Sequence, residues 1–227
     1  MDQLNWALTS SEREKESMEH GFWHERWAHQ QIGFHQKETN LWLQQYWPLL
    51  GVSDDCQVLV PLCGKSKDML WLREQGHSVL GVELSDIACR DFFNEMGAEV
   101  TALAGPKFHT RALDGITLHC GDFFKLEASD VAHVGAVYDR AALIALPHAM
   151  RKSYAAHLKA ILPSGMRVLL VALEYDEQRE SPPFSVSETE VRKLYEPVFT
   201  VELMDGAECE NGRFEGEREK VYFLTRQ

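Results

Sequence analysis

The sequence predicts an α/β fold, doubly wound around a mostly parallel sheet that ends in an antiparallel hairpin. From residue 58 onward, short β-branched segments alternate with amphipathic segments of helical period, which is typical of parallel sheets with helices on both faces. The last two predicted strands follow each other across a polar connection that contains glycine, as in a hairpin. With 227 residues and 44% hydrophobic residues, the chain suits one domain with a substantial core.

The predicted elements follow one another in a regular order. Seven strands are expected, at 58–62, 78–84, 116–120, 134–138, 166–173, 199–204 and 220–225. The helices between them are expected at 67–75 after a Ser66 N-cap, at 86–96 after a Ser85 cap, from Pro147 to 161, and after a capping box at 187–190. Residues 98–115 are predicted to be an irregular connection.

The first strand leads through Leu62 and Gly64 into a helix, a junction at which α/β sheets bind nucleotides. Gly64-Lys65-Ser66 ends like a phosphate-binding P-loop, but Leu59 stands where that loop needs its first glycine. The glycine-rich turn of dinucleotide-binding folds is also absent, since this turn has one glycine. A nucleoside ligand without a phosphate chain therefore fits better.

Polar residues end the next predicted strands at the same edge of the sheet. Glu83 is placed to bind ribose hydroxyls, and Asp122 with Phe123 either meets an adenine or forms an Asx turn. Asp139 and Arg140 form either an ion pair in a site or a solvated strand end. These positions together favour S-adenosylmethionine, whose sulfonium charge suits an acidic pocket.

Composition restricts the partners of the protein. A formal net charge of −12, with no cluster of basic residues, argues against nucleic acid and anionic membranes. Five widely spaced cysteines without a C-x-x-C motif predict free thiols and no metal site. We expect a cytoplasmic protein, since no secretory signal or spanning segment is seen, and a monomer that acts on a small molecule.

The N-terminal region divides into two parts. Residues 1–17 are predicted to be a mobile, charged leader, and Met18 is an alternative start. Residues 18–50 precede a core domain at 51–227 and contain an aromatic segment at 22–35. Its spacing fits an amphipathic helix that buries Trp23 and Trp27, or a lid that folds over a ligand.

Several motifs resemble those of the thiopurine S-methyltransferases, bacterial type, which belong to the class I methyltransferases. They are F-W-H-E-R-W-A and I-G-F-H at 22–35, V-P-L-C-G-K-S at 60–66, G-V-E-L-S at 81–85, C-G-D-F-F at 120–124, Y-D-R-A-A-L at 138–143, and L-E-Y-D with P-P-F at 173–184. The resemblance covers residues 20–227. It implies a Rossmann-like, seven-stranded sheet under an N-terminal helical lid.

The resemblance also implies a reaction and a set of site residues. The reaction is methyl transfer from S-adenosylmethionine to an aromatic or heterocyclic thiol such as a thiopurine, leaving S-adenosylhomocysteine. Methylation of selenium or tellurium species and cofactor binding without turnover are the alternatives. The implied cofactor-binding residues are Trp23, Trp27, Leu62, Gly64, Glu83, Asp122, Phe123 and Arg140. Arg140 with Asp139 is expected to favour the acceptor anion, and the acceptor-binding candidates are Phe34, Arg213 and Arg218.

Overall fold

The computed structural model describes residues 20–33, 35–177, 179–209 and 214–227. The predicted leader at 1–17, Met18, Phe34 and Arg213 lie outside these residues. Within them, seven α-helices precede, connect and flank the strands. They are α1 (20–28), α2 (Leu41–Tyr46), α3 (Asp68–Glu74), α4 (Asp86–Glu95), α5 (Ala142–Ala145), α6 (His148–Ile161) and α7 (Glu188–Tyr195).

A single sheet organises the described residues, with strands in the order β3-β4-β5-β2-β1-β6-β7-β9-β8. Neighbours from β5 to β7 pair in parallel, whereas the strands outside them pair antiparallel. The strands are β1 (Gln57–Pro61), β2 (Ser78–Glu83), β3 (Leu103–Ala104), β4 (His109–Leu113), β5 (Ile116–Cys120), β6 (Val134–Arg140), β7 (Arg167–Glu174), β8 (Phe199–Glu208) and β9 (Arg218–Arg226). The mostly parallel, doubly wound fold and its C-terminal hairpin are confirmed.

The strand count differs from the seven predicted, because the stretch at 98–115 contains β3 and β4. Leu103 pairs with Thr110, and β4 continues the sheet antiparallel to β5. Both strands are largely exposed, so they lack the apolar alternation that marks a half-buried strand. Backbone pairing with β5, which no local pattern reveals, makes this connection a second antiparallel edge.

Apolar layers cover both faces of the sheet and hold its parallel strands in place. One layer includes Leu59, Val137 and Leu170 with residues of α6 and α7. The other includes Val58, Ala136 and Leu169 with residues of α2, α3 and α4. Since β1, β6 and β7 are buried on both faces, their carboxyl ends are rigidly spaced along one edge.

The predicted helix caps are confirmed at two of three positions. Ser85 accepts a hydrogen bond from the Ala88 N–H at 3.5 Å, and Ser187 accepts one from the Glu190 N–H at 3.2 Å. The Ser66 cap is wrong, because α3 begins at Asp68 with Lys67 at its N-cap. The Ser66 hydroxyl instead accepts from the Asp68 N–H at 3.2 Å, in the tighter turn that precedes the helix.

Within the described residues, we find no helix with both the length and the apolar character needed to span a bilayer.

Candidate functional site

A cavity of about 300 Å³ opens at the carboxyl ends of the parallel strands, where α/β sheets bind ligands. Helix α1 covers it, and the β1, β2, β6 and β7 ends, residues 182–183 and the start of β9 complete its wall. The predicted site residues that line it are Trp23, Trp27, Leu62, Gly64, Glu83 and Arg140.

The turn after β1 brings backbone close to the cavity. Leu62 and Gly64 have positive φ values of 49° and 53°, and the Cys63 N–H donates to the Val82 carbonyl at 3.1 Å. A Cβ added at Gly64 would lie 3.4 Å from the ring of Trp27. Gly64 therefore meets two requirements at once, a left-handed conformation and close packing of an aromatic ring against the backbone.

Glu83 ties this turn to the next one. Its Oε2 accepts from the Gly64 N–H at 2.8 Å, and its Oε1 accepts from the Ser85 N–H at 2.7 Å. Burial raises the pKa of Glu83, while the backbone N–H groups act in the opposite direction. A carboxylate has about four lone-pair positions, so each oxygen can accept one further hydrogen bond, for example from a ribose hydroxyl.

Helix α1 places aromatic and cationic side chains over the cavity. Phe22, Trp23, Arg26 and Trp27 all line it, and Trp27 is buried. The Arg26 guanidinium lies 4.8 Å from the centre of the Phe22 ring, a cation–π contact. The aromatic segment thus lies against the site, as the lid interpretation requires, and its contribution to cofactor binding stays a prediction.

Arg140 lies on the cavity wall, but its ion-pair partner is Asp68 at 3.4 Å and not Asp139. Asp68 is 1% exposed and also accepts from the Tyr138 hydroxyl at 3.0 Å and the Asn40 N–H at 2.8 Å. An ion pair between Asp139 and Arg140, one of the two interpretations of this strand end, is wrong because β6 continues through Arg140 and does not end at Tyr138. Successive side chains of a strand point to opposite faces. The other interpretation, a solvated strand end, does not hold for the buried Asp139.

Asp139 lies in the core behind the cavity. It is fully buried, its Oδ2 accepts from the Tyr154 hydroxyl at 2.7 Å, and among the described residues its Oδ1 has no hydrogen-bond partner. Burial raises the pKa of Asp139 to about 7, against the effect of the Tyr154 hydrogen bond. Because it does not line the cavity, the geometry disfavours a direct catalytic role.

Comparison with known proteins identifies the family to which this chain belongs. The family model described as Thiopurine S-methyltransferase (TPMT) matches residues 18–227. The chain belongs to the thiopurine S-methyltransferase family. A thiopurine S-methyltransferase of Azotobacter vinelandii is 47% identical over 218 residues, which cover 92% of this chain and 100% of that protein. One of Pseudomonas fluorescens is 51% identical over 189 residues, with coverages of 83% and 87%.

Solved structures of other methyltransferases share the fold at low sequence identity. The 1,6-didemethyltoxoflavin-N1-methyltransferase of Burkholderia thailandensis superposes with a TM-score of 0.69 at 15% identity, covering 97% of this chain and 93% of that one. Magnesium protoporphyrin IX methyltransferase of Synechocystis gives 0.60 at 12% identity, covering 92% and 100%. Both were solved with S-adenosylhomocysteine bound. The Rossmann-like prediction is confirmed.

Two residues that the family resemblance assigns to adenine lie beside the cavity rather than on its wall. The Asp122 Oδ1 accepts from the Phe124 N–H at 2.9 Å, which is the Asx-turn interpretation. Phe123 is buried, with its ring 5.1 Å from that of Tyr154. The Gly121 N–H donates to the Glu83 carbonyl at 2.8 Å and so keeps this turn next to the site. The adenine assignment stays a prediction.

Of the three acceptor-binding candidates, Arg218 lies within the residues that the structure describes. Arg218 is exposed, pairs with Glu208 at 2.8 Å and does not line the cavity, so the geometry disfavours it as an acceptor ligand. Glu219, which follows Arg218 on β9 and so points to the other face of the strand, lines the cavity, as does Glu217 just before β9.

Sequence reasoning did not identify Asp68, Glu219 or Arg26 as site residues. Asp68 stands two residues after Ser66 in a turn already singled out, so the acid at the helix start was an available signal. Arg26 lies three residues after Trp23 on a helix, which places the two side chains on one face. Glu219 could have been found from the alternation of side chains along β9. The predicted strand began at residue 220, however, whereas β9 begins at Arg218, so Glu219 was not assigned to the strand.

Proposed function

We propose that the protein transfers the methyl group of S-adenosylmethionine to the sulfur of aromatic or heterocyclic thiols such as thiopurines, by in-line displacement. One observation carries this proposal. In a chain of this family, the cavity at the strand ends combines the buried Glu83, the glycine turn after β1 and the aromatic helix α1. A small-molecule acceptor is consistent with its volume of about 300 Å³.

The residues at the β1 and β2 ends fit the cofactor. Glu83 can accept ribose hydroxyls, the Gly64 backbone allows close approach, and Trp23 with Trp27 provides an apolar cover. Leu62 and Arg140 extend this surface toward β6, and Asp122 with Phe123 is proposed to meet the adenine. When bound, S-adenosylmethionine supplies an electrophilic methyl group on a positively charged sulfur.

The chain contributes alignment and exclusion of water more than proton transfer. A thiolate is already a strong nucleophile, so holding it in line with the methyl group supplies much of the acceleration. Arg140 provides positive charge on the cavity wall, which stabilises an anionic acceptor sulfur relative to its protonated form. Helix α1 shields these groups from solvent.

Transfer of radiolabel from S-adenosylmethionine tests this proposal directly. The panel of possible acceptors contains 6-mercaptopurine, thiophenol, selenite and tellurite. We expect the purified protein to label 6-mercaptopurine and thiophenol. Labelling of selenite or tellurite alone would assign the protein to metalloid methylation. Cofactor binding by calorimetry without labelling of any acceptor would show a binding module without turnover.

We also propose that the protein acts as a monomer in the cytoplasm, without nucleic acid. The net charge of −12 supports weak affinity for polyanions, because counterion release requires clustered Lys and Arg. Light scattering coupled to gel filtration is expected to give a mass near 26.0 kDa. A mass of twice that value would contradict the monomer.

A further inference from the structure

Glu219 is a carboxylate on the cavity wall that the expected methyl-transfer chemistry does not use. It lies on β9, and its Oε2 accepts from the Trp42 indole N–H at 3.0 Å. Burial raises the pKa of Glu219, and the charge of Arg140 acts in the opposite direction. A side chain held in this way by Trp42 keeps lone pairs for a ligand in the cavity.

Glu219 lies at the opposite end of the cavity from Glu83. In the strand order β2-β1-β6-β7-β9, the two strands that carry these carboxylates are four inter-strand steps apart, about 19 Å at the usual spacing of about 4.8 Å. If the cofactor occupies the β2 and β1 end, as the proposed function has it, the acceptor must enter at the β7 and β9 end. Glu219 therefore faces the acceptor and not the nucleoside.

Glu219 differs from the neighbouring charged residues of the cavity wall in the partners that it has. Arg140 is already paired with the buried Asp68. Glu217, the other carboxylate on this part of the wall, accepts from the Phe214 N–H at 3.1 Å and so closes its own turn. The hydrogen-bond donor to Glu219 is a neutral indole, and the Arg140 charge that acts on Glu219 is shared with Asp68. The negative charge of Glu219 is therefore less compensated than that of a carboxylate in its own ion pair.

We propose that Glu219 determines acceptor specificity by accepting a hydrogen bond from a ring N–H of the acceptor. The site then prefers nitrogen heterocycles whose only anionic group is the reacting sulfur over thiols that also carry a carboxylate, which Glu219 repels. This inference rests on the proposed function and narrows its substrate class. The half-buried Glu219 carboxylate discriminates between ligands, since a ligand without a ring N–H leaves its free lone pairs without a donor from the ligand.

The Glu219→Gln variant tests the proposal with three acceptors at pH 8: 6-mercaptopurine, thiophenol and 4-mercaptobenzoate. The glutamine oxygen can still accept from Trp42, which leaves its NH₂ facing the ring N–H. We expect kcat/KM for 6-mercaptopurine to fall about tenfold, mainly through KM, with thiophenol changed less than about twofold and 4-mercaptobenzoate improved about fivefold. Glu202→Gln, on the exposed side of β8, is the matched control and is expected to change none of them.

An equal effect of Glu219→Gln on all three acceptors, or no effect, would overturn the proposal. Failure of the proposed function is a separate outcome, in which the wild-type protein methylates none of the three. Calorimetry with 6-mercaptopurine and 4-mercaptobenzoate then still tests Glu219. Glu219→Gln is expected to weaken binding of 6-mercaptopurine and to strengthen binding of 4-mercaptobenzoate.

Discussion

Asp68 and Arg140, 72 positions apart in the chain, face each other with the Oδ2 and Nη1 atoms 3.4 Å apart. Asp68 begins α3 and Arg140 ends β6, so this contact joins the segment after β1 to the end of the neighbouring strand β6. With Tyr138 and the Asn40 N–H also bound to Asp68, one buried carboxylate fixes three parts of the chain.

Asp68→Ala is expected to lower the free energy of unfolding by about 3 kcal/mol, because it leaves the Arg140 charge and two buried donors without their acceptor. Asp68→Asn is expected to cost less, since its carbonyl oxygen still accepts one of these bonds. Urea unfolding followed by circular dichroism measures both. Equal stability of wild type and Asp68→Ala would show that this network adds nothing to the fold.

Arg140→Ala is expected to reduce kcat/KM about tenfold at a pH below the pKa of the acceptor thiol, and less above it. Without the cation on the wall, the acceptor loses the charge that favours its thiolate. Arg140→Lys, which keeps the charge, is expected to retain most of the activity. A pH profile with the same shape and height in wild type and Arg140→Ala would rule out this role.

Glu83→Ala is expected to weaken S-adenosylmethionine binding about tenfold or more, because hydrogen bonds to a charged acceptor contribute about 1.5–3 kcal/mol each. Isothermal calorimetry gives the dissociation constant. Glu74→Ala, the same substitution at an exposed position of α3, is the control and is expected to leave the dissociation constant unchanged. Full cofactor affinity in Glu83→Ala would refute the assignment of Glu83 to the ribose.

Gly64→Ala is expected to destabilise the protein by about 1–2 kcal/mol, since an L-residue at a φ of 53° is strained. The new methyl group would also lie 3.4 Å from the Trp27 ring, so cofactor affinity should fall as the aromatic cover shifts. Gly97 has a similar φ of 76°, but a Cβ added there would have no atom within 4 Å. Gly97→Ala therefore measures the effect of backbone strain without the contact with an aromatic ring. Equal cofactor affinity in both variants would contradict the packing argument.

Asp139→Asn is expected to change how stability depends on pH. The folded protein keeps the Asp139 proton up to about pH 7, whereas the unfolded chain releases it at about pH 4. Ionisation in the core therefore removes stability as pH rises, by up to about 1.4 kcal/mol per pH unit between those values. Asparagine avoids this loss and still accepts from Tyr154.

Urea unfolding of wild type and Asp139→Asn at pH 5, 6, 7 and 8 measures this difference. The variant should gain stability relative to the wild type as pH rises to 7, with little further change at pH 8. Parallel curves would show that Asp139 does not titrate in this range.

The amino-acid sequence by itself determined the parallel core of the fold and one part of the cavity wall. Hydrophobic segments of period two and helical segments of period 3.6 are local patterns, so they identify the strands without knowledge of their neighbours. The carboxyl ends of parallel strands then meet at one edge. This is why Leu62, Gly64, Glu83 and Arg140 could be placed at one site in advance.

Only the tertiary structure decided which side chains at that edge face the cavity and which partners they have. A strand that runs one or two residues further than its apolar pattern, as β6 and β9 do, directs Asp139 and Arg218 away from the cavity and Glu219 toward it. Such extensions depend on backbone pairing with β7. The Asp68–Arg140 contact likewise joins residues far apart in the chain, a relationship that no local spacing encodes.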